Sequence, residues 1–107
     1  MAYDAELVER VEAALPGREL RGVRMFGGLA LMLEDRMLVS VGADDLLVRV
    51  DPARDAELLT RPGARRATMG RDRSMGEGWI SVDRQALASD EDLAAWLDAA
   101  LHHHARH

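Results

Sequence analysis

Four apolar segments, residues 20–26, 29–33, 37–41 and 46–50, follow one another with only two to four residues between them. Parallel neighbours need a crossover of a dozen or more residues, so connections this short join strands only as antiparallel hairpins. The spacing predicts a four-stranded meander. Met37, Val39 and Val41 recur at period two, while Leu46, Val48 and Val50 share a face opposite Leu47 and Arg49. Segment 29–33 is apolar almost throughout, the pattern of a strand covered on both faces. Gly27-Gly28, Glu34-Asp35 and Gly42-Ala43-Asp44-Asp45 supply the turns.

Helical patterns flank this unit. Asp4 is placed as the N-cap of a first helix whose apolar face is Leu7, Val8, Val11, Ala14 and Leu15, and Pro16-Gly17 ends it. Asp51-Pro52 reads as a cap followed by proline at the first helical position, opening a short helix over 52–60 that Arg61-Pro62-Gly63 stops. Residues 64–78 are polar, with Gly70, Gly76 and Gly78, and are expected to form a mobile loop with a short strand at 67–69. A strand at 79–82 turns Trp79 or Ile80 inward. Ser89 caps a last helix in which Leu93, Trp96, Leu97, Ala100 and Leu101 form an apolar stripe. The expected class is α+β: N-terminal helix, antiparallel meander, short helix, loop with a further short strand, and a C-terminal helix packed on the sheet. One domain covers 1–107, and the tail 102–107, with all four histidines, is expected to fray.

Composition narrows the function classes. The chain has no cysteine, which removes disulfides, thiolate metal sites and cysteine nucleophiles. All 14 basic residues are arginine, and the net charge of −5 disfavours bulk nucleic-acid binding. No apolar run approaches the ~20 residues that span a bilayer. Met1-Ala2-Tyr3-Asp4 turns acidic at once, unlike a signal peptide, so a cytoplasmic location with no membrane partner is expected.

From Arg24 onward the order of features resembles the N-terminal domain family of the bacterial competence regulator TfoX, also called Sxy. The features are Met25-Phe26-Gly27-Gly28, Met37 opening a strand, Leu46-Leu47-Val48-Arg49-Val50-Asp51, a polar loop, Met75 four residues before Trp79, and a closing helix with Trp96. The resemblance covers about residues 3–101. Leu47 and Arg49 stand where the family tends to have an aromatic or lysine, and Asp83 where it has a proline. The resemblance implies an antiparallel sheet flanked by helices. It also implies a non-catalytic regulatory or protein-interaction module, since the regulator helps a cyclic-AMP-receptor-type activator at competence promoters. It supplies no catalytic residues to carry over.

Candidate residues are weighed against ordinary structure. Arg24, Met25, Phe26, Gly27 and Gly28 read as a tight turn or bulge with Met25 or Phe26 in the core; the alternative is a glycine nest holding an anion beside Arg24. Arg61, Arg65, Arg66, Arg71 and Arg73, against Asp72 alone, are a solvated loop or a partner- or phosphate-binding one. Nucleic acid, if bound, would use this loop. Trp79, at a strand start after a glycine-rich loop, is the tryptophan better suited to a part-exposed anchor. His103 and His107, four apart, lack an obvious third metal ligand, so no metal and no cofactor is expected. Asp35, Asp44, Asp45 and Asp51 fall on turns or caps, and Ser40 and Ser81 have no histidine nearby in sequence. The expectation is therefore no enzyme, with a small carboxylate-based enzyme as the remaining alternative. A protein partner and a two-fold homodimer are the expected associations.

Overall fold

The computed structural model describes residues 3–25, 27–69 and 73–106. In chain order the elements are α1 (Ala5–Ala14), β1 (Leu20–Met25), β2 (Gly28–Leu33), β3 (Arg36–Val41), β4 (Asp45–Arg49), a 3-10 turn (Pro52–Arg54), α2 (Asp55–Leu58), β5 (Ala64–Arg66), β6 (Thr68–Met69), β7 (Arg73–Ser74), β8 (Trp79–Asp83), a second 3-10 turn (Arg84–Leu87) and α3 (Asp90–Arg106). The class is α+β, with helices before and after the strands of an antiparallel sheet.

The meander forms as the spacing requires: β1 to β4 are consecutive antiparallel neighbours. Its first turn depends on Gly27, at φ +71°, which a side chain rarely adopts. Gly28 depends on space instead, because a Cβ there would press on the Val41 carbonyl. The second turn takes positive φ at two non-glycine residues, Glu34 (54°) and Asp35 (65°), the geometry of a two-residue hairpin loop matched to strand twist. A register shift between Leu31 and Met32 marks a bulge where β2 meets β3.

The sheet has six strands in the order β1-β2-β3-β4-β8-β5. β8 inserts beside β4, and β5 pairs with its far side, so β4 and β5 run in the same direction with β8 between them. Residues 64–78 were expected to be a loop with one strand at 67–69; their described part carries β5 as an edge strand and the small β6-β7 hairpin. The helix expected over 52–60 begins as a 3-10 turn and is α-helical only over Asp55–Leu58. Its start is as expected, with Asp51 Oδ1 accepting the Ala53 N–H at 2.9 Å.

α1 and α3 cover one face of the sheet. Leu7 and Val11 of α1, and Leu93, Trp96, Leu97 and Ala100 of α3, join Leu31, Val39, Val41, Leu46, Val48, Ile80 and Val82 in one core. Ile80, not Trp79, is the inward residue at the start of β8. The caps at Asp4, to the Leu7 N–H at 3.2 Å, and Ser89, to the Asp92 N–H at 3.0 Å, hold as expected. Of the histidine tail expected to fray, the described residues 102–106 are helical, the last part of α3. His104 is buried, its Nε2 lies 2.9 Å from a Glu34 carboxylate oxygen, and Arg36 Nη2 donates to the His104 carbonyl at 2.9 Å. These contacts, 68 and 70 residues apart in sequence, give the last turn of α3 partners that no local pattern announces. No helix among the described residues is long and apolar enough to cross a membrane.

Candidate functional site

The arginines of 61–73 have different surroundings. Arg66, on β5, forks onto both carboxylate oxygens of Asp55 and also donates to the carbonyls of Gly76 (2.6 Å) and Trp79 (3.0 Å). Asp55 is buried at the start of α2, and its Oδ1 also accepts the Gly78 N–H at 2.8 Å. The Arg66 hydrogen bond outweighs burial and holds the Asp55 carboxyl below its ordinary range, while the same bond raises the guanidinium. This pair ties α2, β5 and the approach to β8 together.

Arg65 points to the other face of β5. It bonds Asp83 and lies 3.8 Å from Asp45, whose Oδ2 accepts the Ser81 hydroxyl at 2.5 Å. The Asp83 hydrogen bond raises the Arg65 guanidinium. Arg61 stacks 5.2 Å from the centre of the Trp96 ring. Arg73 is exposed on β7, and Arg71 lies outside the described residues. The loop that reads as one cationic patch in sequence is thus divided: Arg65 and Arg66 are engaged in ion pairs, Arg61 lies against a ring, and Arg73 faces solvent.

The glycine-turn segment is likewise spread out. Arg24 lies 5.6 Å over the Tyr3 ring, Met25 is half-buried, and Phe26 lies outside the described residues. Gly27 and Gly28 have the structural duties given above. Ser81 meets Asp45 and not a histidine, Asp51 is a cap, and no three His, Asp or Glu side chains among the described residues converge as metal ligands.

What the sheet does bring together is its second face. Strand register places Val23 and Met25 of β1, Met32 of β2, Leu47 of β4 and Trp79 of β8 on the side opposite the core, and each remains part-exposed. Ala30, Ser40 and Ser81 lie buried among them, small enough to leave the larger side chains as the surface. Arg49 sits beside Trp79 as its cross-strand partner, with the guanidinium 5.0 Å from the ring centre. Arg65, Asp45 and Asp83 form a polar border at one side. Of this face, the sequence points to Trp79 as a part-exposed anchor and separates Leu47 and Arg49 from Leu46, Val48 and Val50. Its expectation of Met25 or Phe26 in the core is not met by Met25, which lies part-exposed on the opposite side, while Phe26 lies outside the described residues. The period-two alternation of β1 and β4 was the signal that could have found the rest, but it does not say which strands lie side by side.

A family model described as the TfoX N-terminal domain matches residues 15–104, most of the chain. No curated protein and no solved structure matches it.

Proposed function

Because the chain belongs to the TfoX N-terminal domain family, we propose that it is a non-catalytic regulatory module that binds a protein partner through the open face of its sheet. The observation that carries this reading is the row of part-exposed Val23, Met25, Met32, Leu47 and Trp79. Flexible thioether side chains beside an aromatic are common on surfaces that accept apolar partners. The alternative of nucleic-acid binding through 61–73 has less support, since Arg65 and Arg66 are occupied by Asp83 and Asp55. The partner surface expected is apolar and the location cytoplasmic.

Affinity capture from the source cell with the unmodified chain and with Leu47→Glu tests the reading. A partner of the transcription machinery retained by the first and lost by the second supports it. Equal capture by both removes the sheet face, and nucleic acid as the sole retained species removes the protein-binding reading. Light scattering distinguishes a different partner from a second copy. A mass near 11.8 kDa for the free chain fits the proposal, whereas a dimer that Leu47→Glu dissociates would assign the face to self-association.

A further inference from the structure

A cavity of about 430 Å³ opens where β3 begins and β4 ends, beside the C-terminal part of α3. Arg36, Arg49, His103 and His104 line it together with an apolar wall of Met37, Pro52 and Ala100. Among the described residues no acidic side chain lines it, in a chain whose net charge is −5. Arg10, Arg21, Arg54, Arg65, Arg66 and Arg84 each form an ion pair with a carboxylate. Among the described residues Arg36 and Arg49 form none: Arg36 donates to the His104 carbonyl and Arg49 lies over Trp79. A guanidinium has five N–H donors, so one such contact leaves most of them for a ligand.

Three features bear on an anion here. The carbonyl end of α3 is the negative pole of its dipole, but Arg36 covers one of its carbonyls. Glu34 bears on Arg36 and His104, yet it is largely exposed and its carboxylate is bonded to His104 Nε2. Asp51 adjoins the lining Pro52 in sequence, and its Oδ1 accepts the Ala53 N–H at 2.9 Å.

We propose that this cavity binds a small phosphomonoester. Arg36 and Arg49 take the phosphate, whose charge near −2 matches two guanidinium groups better than a carboxylate does. Met37, Pro52 and Ala100 face the apolar body of the ester, and the volume falls in the range of small-molecule sites. The site is separate from 61–73, and it does not depend on the partner-binding reading.

Phenyl phosphate titrated into the 15N-labelled chain, followed by two-dimensional NMR, tests it, with inorganic phosphate and benzoate as comparators. Saturable shifts at the amides of Met37, Arg49, Ala100 and His103, strongest for phenyl phosphate, are expected. Replacing Arg49 by Gln is expected to weaken phenyl phosphate by about tenfold or more, the worth of a charge-assisted hydrogen bond. Arg73→Gln, an exposed arginine on β7, is expected to leave affinity unchanged. Absence of saturable shifts at millimolar phenyl phosphate, shifts centred elsewhere, or equal weakening by Arg73→Gln would overturn the site. Benzoate binding as tightly as phenyl phosphate would overturn the phosphate assignment.

Discussion

Asp55 is buried, and Arg66 and the Gly78 N–H converge on its carboxylate. Removing one member of a buried pair leaves the other without compensation, so Asp55→Ala is expected to cost about 3 kcal/mol in urea unfolding. Arg73→Ala, at an exposed position, is expected to stay within about 0.5 kcal/mol. The pair also sets a pH dependence. The Asp55 carboxyl is depressed in the folded chain, chiefly by Arg66, so the folded state binds its proton more weakly than the unfolded chain does. Its contribution is full above the ordinary carboxylate range near pH 4 and disappears as pH falls through the lowered folded value. Asp4, lowered by Arg84, acts with the same sign. The stability gap between the unmodified chain and Asp55→Ala is therefore expected to narrow in acid; a gap constant down to strongly acidic pH would contradict it. At the first hairpin, Gly28→Ala is expected to cost about 1–3 kcal/mol, the usual penalty of overpacking, because its methyl would meet the Val41 carbonyl.

At the scale of elements, the last turn of α3 gains its stability from the β2-β3 turn. His104 reaches Glu34 and Arg36 reaches the His104 carbonyl, so the helix end and a turn of two positive-φ residues brace each other. Cutting the chain after Leu101 is expected to lower stability by about 1–3 kcal/mol, two part-buried hydrogen bonds and their packing, measured by thermal unfolding. A tail that merely frayed would leave the transition unmoved. The exposed edges follow a similar economy. β1 carries Arg21 and Arg24, and β5 is only three residues long with Arg65 and Arg66 on it, devices that discourage further strand addition. The sheet face holding Val23, Met32, Leu47 and Trp79 has no such protection, and it is the surface proposed above for docking.

Across the whole molecule, α1, the sheet and α3 contribute to one core cluster, so unfolding is expected to be a single cooperative event. Trp96 is buried in that core and Trp79 lies part-exposed on the opposite face. Fluorescence from variants keeping one tryptophan each is expected to trace the same urea transition as far-ultraviolet circular dichroism; separated midpoints would show that the sheet and its helical cover unfold independently. The amino-acid sequence alone determined the hairpins, the capped helix starts at Asp4, Asp51 and Ser89, and the apolar stripe of α3, because turn chemistry, capping and periodicity act within a few residues. Segment 61–73 shows the limit of that logic: the string of arginines is visible, but Asp55, Asp83 and Trp96, which engage Arg66, Arg65 and Arg61, are 11 to 35 positions away. The place of β8 between β4 and β5, the docking of His104, the exposed sheet face and the basic cavity were decided only by tertiary structure. Each is made by groups distant along the chain, and which of them meet is fixed by how the buried surfaces close over one another.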